Sequence, residues 1–440
     1  MMQSKNVHIV GIGGIGTSAV AKLFLSRGAS VSGSDMHESE LITDLRGRGV
    51  DVLIGHYPAN IPEGCDLVVY TRAVVEANVE RQAAVERGIK QLSYPEFLGI
   101  LAKDYKTIAV SGTNGKSTTT AMIAATLIEA GYDPTVIVGT KVPGWSDGNL
   151  RVGKGEWLVL EACEYMASML EIHPNTAVIT NIQEDHLDFY KDIDHIRETF
   201  QKWIDCRETC AQVVINRDDA ESQKLKSKYV SSFGVDGRKV GDKKQTFDVV
   251  GVEVELAIPG EFNAQNAAAA LTAAHIVGVP DEAAVKALGE FKGTWRRFEH
   301  VGMWKEADIF SDYAHHPSGV AGSIEAFREF YPDRRLIVVF QPHQHSRTHE
   351  MFDKFVESFD GADILVLSEI YEVTGRTEEK FESSKDLADQ VRNRGRNGKV
   401  LYAKDLGEAE DHLRYAVQKD DVIVCMGAGS IDSIARKIAE

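Results

Sequence analysis

The chain has 440 residues, 43% of them hydrophobic and 26% charged, which is too long for a single core and too apolar for a disordered chain. Its formal net charge of -17 repels phosphate backbones and argues against nucleic-acid binding, while leaving room for a local positive pocket that takes a small anion. No apolar run reaches the roughly 18 residues of a membrane span, the polar start argues against a signal peptide, and five scattered cysteines fit a reducing, cytoplasmic setting better than a disulfide framework.

In chain order, the first strand-like run is Val7-His8-Ile9-Val10, followed by a glycine turn and a helical run over 18–26. Further strand-like runs lie at 50–54 and 67–70, and a helix is expected over 94–101. A second set opens with Thr107-Ile108-Ala109-Val110, again followed by a glycine turn and a helix, with later strands at 157–160 and 177–180. Cys206 and Cys210 lie one helical turn apart. With no second pair to complete a metal site, they read as helix packing. Residues 235–260 read as extended chain with turns. A third set has strands at 336–340, 364–368, 400–403 and 422–426, and the polar stretch 375–395 reads as a loop plus helix. Short apolar runs interleaved with helical patterns predict α/β architecture with parallel sheets. Boundaries are expected near 102–106 and 298–301, which gives domains 1–103, 104–298 and 299–440.

Two glycine loops carry the chemistry. Gly11-Ile12-Gly13-Gly14-Ile15-Gly16 follows a strand and fits G-x-G-x-x-G, in which backbone N–H groups approach a diphosphate at a helix N-terminus. Asp35 stands at the end of the next strand, where a carboxylate meets a nucleotide's ribose or base. Alone, this loop favours a nicotinamide or flavin enzyme. The second loop, Ser111-Gly112-Thr113-Asn114-Gly115-Lys116-Ser117-Thr118, has the G-K-[ST] core of a phosphate cradle at shortened spacing. Lys116 would balance β/γ-phosphate charge and Ser117 would ligate Mg²⁺. A dehydrogenase has no need of the second cradle and a simple ATPase has none of the first. Together they imply ATP plus a second substrate that bears a diphosphate.

With these loops in place, the sequence resembles the Mur ligases of peptidoglycan synthesis over essentially its whole length. The stretches that carry the resemblance are 112–118, Glu161-Ala162-Cys163-Glu164-Tyr165, 180–188, Phe262-Asn263-Ala264-Gln265-Asn266-Ala267 and Trp295-Arg296-Arg297-Phe298-Glu299. Four more, Gly11 to Ser18 with Ser32-Gly33-Ser34-Asp35, Asp312-Tyr313-Ala314-His315-His316-Pro317, Gln341-Pro342-His343-Gln344-His345-Ser346-Arg347-Thr348 and Gly427-Ala428-Gly429-Ser430-Ile431, resemble the branch that joins L-alanine to UDP-N-acetylmuramate. The branch that recycles murein tripeptide is the alternative.

The resemblance implies a three-domain fold: a Rossmann-like N-terminal domain for the UDP-sugar, a central P-loop ATPase-like domain, and a Rossmann-like C-terminal domain for the amino acid. It implies ATP and Mg²⁺ as cofactors, UDP-N-acetylmuramate and L-alanine as substrates, and a monomer or homodimer. The reaction would run through an acyl phosphate, so fixed cations and metal ions should dominate catalysis.

It also implies residue roles. Gly112, Thr113, Asn114, Gly115, Lys116, Ser117 and Thr118 would hold ATP phosphates, with Asn266 at the adenine, Arg297 at the phosphates and Asp312 at the ribose. Ser117, Glu164 and His186 would hold Mg²⁺, with Glu161 a rival to Glu164, and Lys116, Glu164, His186 and Arg297 would be catalytic. Gly11, Gly13, Gly14, Ile15, Gly16, Ser18, Ser34 and Asp35 would hold the UDP-sugar. His343 and Arg347 would recognise the amino acid, with sugar or phosphate contact as the alternative. For Asn266 the bland alternative is a helix cap. Asn114, Phe262 and Arg72 depart from the family pattern, Arg72 standing where small hydroxyl residues are usual.

Overall fold

A computed structural model describes residues 4–205, 212–241, 243–372, 381–396 and 398–439. Cys206 and Cys210 lie outside the described residues. Among the described residues no helix is long and apolar enough to cross a membrane.

The first sheet has five strands in the order Asp51–Ile54, Ser30–Asp35, Asn6–Val10, Leu67–Tyr70, Lys90–Ser93, all parallel. The helix Ile15–Ser26 follows its central strand directly. The switch in strand order falls at Asn6–Val10, so the first glycine loop leaves from the carboxyl end where α/β sheets bind ligands. The helix Tyr94–Ala102 begins with a capping box. Ser93 Oγ accepts the Glu96 N–H and the Glu96 carboxylate accepts the Ser93 N–H, while Pro95 pre-sets the first turn.

The second sheet runs Val230–Phe233, Gln212–Asn216, Thr176–Ile179, Lys106–Ser111, Trp157–Glu161, Thr135–Ile137, Leu150–Arg151, with only the last strand antiparallel. Its central strand Lys106–Ser111 feeds the second glycine loop and the helix Lys116–Glu129. The extended region contains the strands Asp236–Gly241, Lys244–Val249 and Val252–Leu256.

The third sheet runs Glu299–Trp304, Ala307–Asp312, Val422–Met426, Leu336–Phe340, Ile364–Ser368, Lys399–Ala403, with an antiparallel first strand and parallel pairing elsewhere. Its last strand in sequence, Val422–Met426, is inserted at the middle. Both faces are covered. Leu336, Val338 and Phe340 pack with Phe327 and Phe355, whereas Ile337 and Val339 pack with Ile309, Ile423 and Ile434. Burial on two faces is why these strands read as continuous apolar runs rather than alternating ones. Within 375–395 the expected helix is Ser384–Arg394; residues 373–380 lie outside the described set.

By packing, Met1–Asp236, Asp248–Val254 and Gln265–Leu288 form one compact unit, and Gly237–Phe247, Glu255–Ala264 and Gly289–Glu440 form a second. The first two sheets thus share a unit and the third has its own. The three sheets are the α/β architecture the sequence predicts.

Candidate active site

The second glycine loop is built by its neighbours as much as by its own residues. Gly115 has φ +85°, and a Cβ there would lie 2.2 Å from Asn266 Oδ1, so only glycine fits. The stretch after the strand Thr176–Ile179 clamps the loop. Asn181 accepts the Thr113 N–H at its carbonyl (3.0 Å) and the Asn114 N–H at Oδ1 (3.0 Å), and its Nδ2 donates to the Asn114 carbonyl (3.0 Å). The Thr180 hydroxyl donates to the same carbonyl (2.5 Å), and the Gln183 N–H donates to Thr113 Oγ1 (2.9 Å). Gly112, Thr113, Asn114 and Gly115 are thereby fixed, and Ser117 and Thr118 are buried in the first turn of the helix.

Lys116 Nζ donates to the Gly112 carbonyl (2.6 Å) and the Thr113 carbonyl (3.1 Å), and it lies 3.0 and 2.9 Å from Glu164 Oε1 and Oε2. Glu164 is 3% exposed. Burial works against the Lys116 ammonium, but the Glu164 carboxylate prevails and raises its pKa. Burial likewise pushes the Glu164 carboxyl up, and Lys116 and His186 together hold it below its ordinary value. His186 Nε2 is 3.5 Å from Glu164 Oε1. The structure thus gathers Lys116, Glu164 and His186 at one point. Glu161 turns elsewhere and accepts the Gly139 N–H.

Glu164 and His186 are themselves positioned. The Glu164 carbonyl accepts the Ala167 N–H (2.9 Å) and the Tyr190 hydroxyl (2.5 Å). The Tyr165 ring lies against His186 with centroids 4.5 Å apart, and its hydroxyl donates to Asp188 (2.8 Å). His186 holds a left-handed backbone, φ +54°. For a non-glycine residue that conformation is uncommon and clusters at functional sites.

Asn266 is not a helix cap. Its helix starts at Glu261, which puts Asn266 in the second turn, where Oδ1 accepts the Thr119 hydroxyl (3.1 Å) beside Gly115. Asn266 therefore lies against the phosphate loop itself.

In the first glycine loop, Gly11 has φ +77°, and a Cβ there would lie 2.4 Å from the Thr71 methyl. The Gly13 N–H donates to Asp35 Oδ2 (2.8 Å), so Asp35 braces the loop. The Gly11 and Ile12 N–H groups donate to the Ser34 carbonyl (2.8 and 3.0 Å). Gly14 caps the helix that Ile15 begins, and Gly16 packs on the Tyr94 ring. Ser18 and Ser34 are fully buried. Ser18 Oγ donates to the Ile15 carbonyl (3.0 Å), and the Ser34 hydroxyl donates to Glu80 (2.6 Å).

In the second unit, Arg296 and Arg297 part ways. Arg296 is buried, and its guanidinium donates to the carbonyls of Gly427 and Gly429. Arg297 is partly exposed, 5.6 Å from the Tyr313 ring centroid. Asp312 ends the strand Ala307–Asp312. Its carboxylate accepts the N–H groups of Phe298 (3.0 Å) and Ala314 (2.9 Å) and the Ser323 hydroxyl (3.1 Å), and burial raises its pKa. His343 stacks on Tyr371 (centroids 5.5 Å, interplanar angle 13°) with His315 6.0 Å away. Arg347 lies in the helix His345–Glu350. Burial first, and the Arg347 charge second, lower the His315 pKa to about 4.

Three family models match the chain in order: "Mur ligase family, catalytic domain" at residues 6–106, "Mur ligase middle domain" at 110–274, and "Mur ligase, glutamate ligase domain" at 296–429. A UDP-N-acetylmuramate–L-alanine ligase of Caldanaerobacter subterraneus is 38% identical over 99% of this chain and 97% of its own. The chain belongs to the Mur ligase family. The enzyme of the same description from Clostridium novyi is also 38% identical, over 99% of this chain and 98% of its own. The crystal structure of a UDP-N-acetylmuramate–alanine ligase from Thermotoga maritima superposes with a TM-score of 0.86 at 28% identity and 98% coverage of both chains.

Sequence reasoning missed several parts of this Mur ligase site. The clamp made by Thr180 and Asn181, the shelf made by Tyr165 and Tyr190, and the Arg296 strut all lie within or beside stretches already marked as family signatures. A polar or aromatic residue inside such a stretch was the available signal.

Proposed function

We propose that the chain joins L-alanine to the carboxylate of UDP-N-acetylmuramate with ATP, through an acyl phosphate. The observation that carries this reading is similarity over nearly the whole chain to enzymes so described, together with a phosphate loop whose lysine meets a buried carboxylate. The tripeptide-recycling reaction is the weaker alternative.

In this reading the N-terminal glycine loop, with Asp35 behind it, holds the UDP diphosphate. Lys116 and the backbone of 112–118 hold the ATP phosphates, and Arg297 adds a cation. His343 and Arg347 take the amino acid, a guanidinium fork suiting its carboxylate. The domains carrying these roles are 1–103, 104–298 and 299–440. Ser117, Glu164 and His186 would hold Mg²⁺. Among the described residues no group of three or more His, Cys, Asp or Glu could hold a metal unaided. The Ser117 hydroxyl and the single Glu164 carboxylate suit Mg²⁺, which commonly binds through one or two carboxylates plus substrate phosphates and water, with the His186 imidazole the less usual donor. When bound, the ion neutralises phosphate charge. Glu164 keeps Lys116 charged and in place at the loop, and His186 is kept beside Glu164 by Tyr165. ATP and UDP-N-acetylmuramate are nucleotides of the cytoplasm, where we place the reaction.

The test is phosphate release from ATP with UDP-N-acetylmuramate and L-alanine, glycine, L-serine or L-alanyl-γ-D-glutamyl-meso-diaminopimelate as acceptor. L-Alanine is expected to give the highest kcat/KM. Preference for the tripeptide would move the assignment to recycling, and release with none of them would refute the reading.

A further inference from the structure

We propose that Arg72 is a positioning residue that ties the first glycine loop to the turn carrying Glu164. The proposal deepens the ligase reading above and rests on it.

The loop after the strand Leu67–Tyr70 touches both sites. On one side, the Thr71 N–H donates to the Val10 carbonyl (3.1 Å), and the Thr71 methyl fills the space left by Gly11. On the other side, Arg72 Nη1 donates to the Met166 carbonyl (2.6 Å), and Nη2 lies 3.5 Å from Glu171 Oε1. Adjacent residues of one short loop thus hold the first glycine loop and the segment two residues beyond Glu164.

That segment needs holding. Met166 and Ala167 are both left-handed (φ 52°, ψ 30° and φ 53°, ψ 29°), and neither is glycine. Such backbone persists only where surrounding contacts over-determine it. Two of those contacts, from Ala167 and Tyr190, converge on the Glu164 carbonyl. Arg72 supplies another, to the Met166 carbonyl, from a different sheet. A serine or threonine at this place would be too short to span that gap. With the turn released, Glu164 would shift against Lys116, and small misplacements of catalytic groups are costly in rate.

The test uses the full-length enzyme with Arg72→Ala, Arg72→Ser and Arg72→Lys. Single-turnover phosphate transfer from ATP is measured beside calorimetric binding of UDP-N-acetylmuramate and of a non-hydrolysable ATP analogue. Arg72→Ala and Arg72→Ser are expected to slow transfer by about 10- to 100-fold with both affinities unchanged. Arg72→Lys should recover part of the rate, since one ammonium donor still reaches a carbonyl. Unchanged transfer in the alanine and serine variants would overturn the proposal. So would weaker sugar-nucleotide binding at an unchanged rate, which would make Arg72 a direct ligand contact. Should Arg72→Ala fail to fold, Arg72→Lys and Arg72→Ser decide by the same criteria. Wild-type enzyme that transfers no phosphate would sink the ligase reading itself, an outcome distinct from variants that match an active wild type.

Discussion

Lys116 has a buried carboxylate partner and two carbonyls of its own loop, so its removal should be felt at the ATP site. Lys116→Ala is expected to abolish ligation and to leave UDP-N-acetylmuramate binding by calorimetry intact, because the first glycine loop is braced by Asp35 and Ser34 instead. Parallel loss of sugar-nucleotide binding would contradict that division of labour. Arg347 is proposed to grip the amino-acid carboxylate. Losing a charge-assisted hydrogen bond of about 1.5–3 kcal/mol should weaken L-alanine binding roughly 10- to 150-fold. Arg347→Ala should therefore need far more L-alanine to saturate single-turnover rates, with the ATP dependence unmoved. Saturation at the wild-type concentration would exclude the role.

At the scale of elements, the glycine loop is held by the segment that follows the strand Thr176–Ile179. Asn181→Ala removes the acceptor for the Asn114 N–H and a donor to the Asn114 carbonyl. Two hydrogen bonds at about 1 kcal/mol each predict up to about a 30-fold loss of ATP affinity, with sugar-nucleotide affinity unchanged. An ATP affinity equal to wild type would mean that the loop is held without this clamp. The inner strands of the sheets were legible in the sequence because they carry a local signal, as in the doubly buried strand Leu336–Phe340, whereas many surface helices and edge strands were not read. The alternative of Asn266 as a helix cap fails because the helix Glu261–Ile276 starts a full turn earlier. The conformation of His186 and the target of Arg72 were not legible. A left-handed turn at Met166-Ala167 has no glycine to mark it, and the contact with Arg72 bridges distant parts of the chain. The hydrogen bonds of Ser18 to the Ile15 carbonyl and of Ser34 to Glu80 were equally hidden, since a serine's partners cannot be read from its type.

For the molecule as a whole, His315 adds a pH dependence to the stability of the second unit. Its folded pKa of about 4 lies below the ordinary value of 6.5, so the unfolded chain binds this proton first as pH falls. Stability from this group is full above pH 6.5 and declines between about 6.5 and 4, by at most about 1.4 kcal/mol per pH unit. His315→Gln should flatten the fall of melting temperature across that window, and an unchanged slope would show that His315 is not kept neutral. The order of the third sheet bears on the enzyme's birth at the ribosome. Its interior position belongs to Val422–Met426, made after every other strand of that sheet, and the buried Arg296 donates to the carbonyls of Gly427 and Gly429, made later still. Synthesis proceeds at about 5–20 residues per second, and domains fold as units. Each nascent chain therefore carries two half-sheets with open edges until Val422–Met426 has been made. The third sheet then closes by a single late insertion rather than strand by strand.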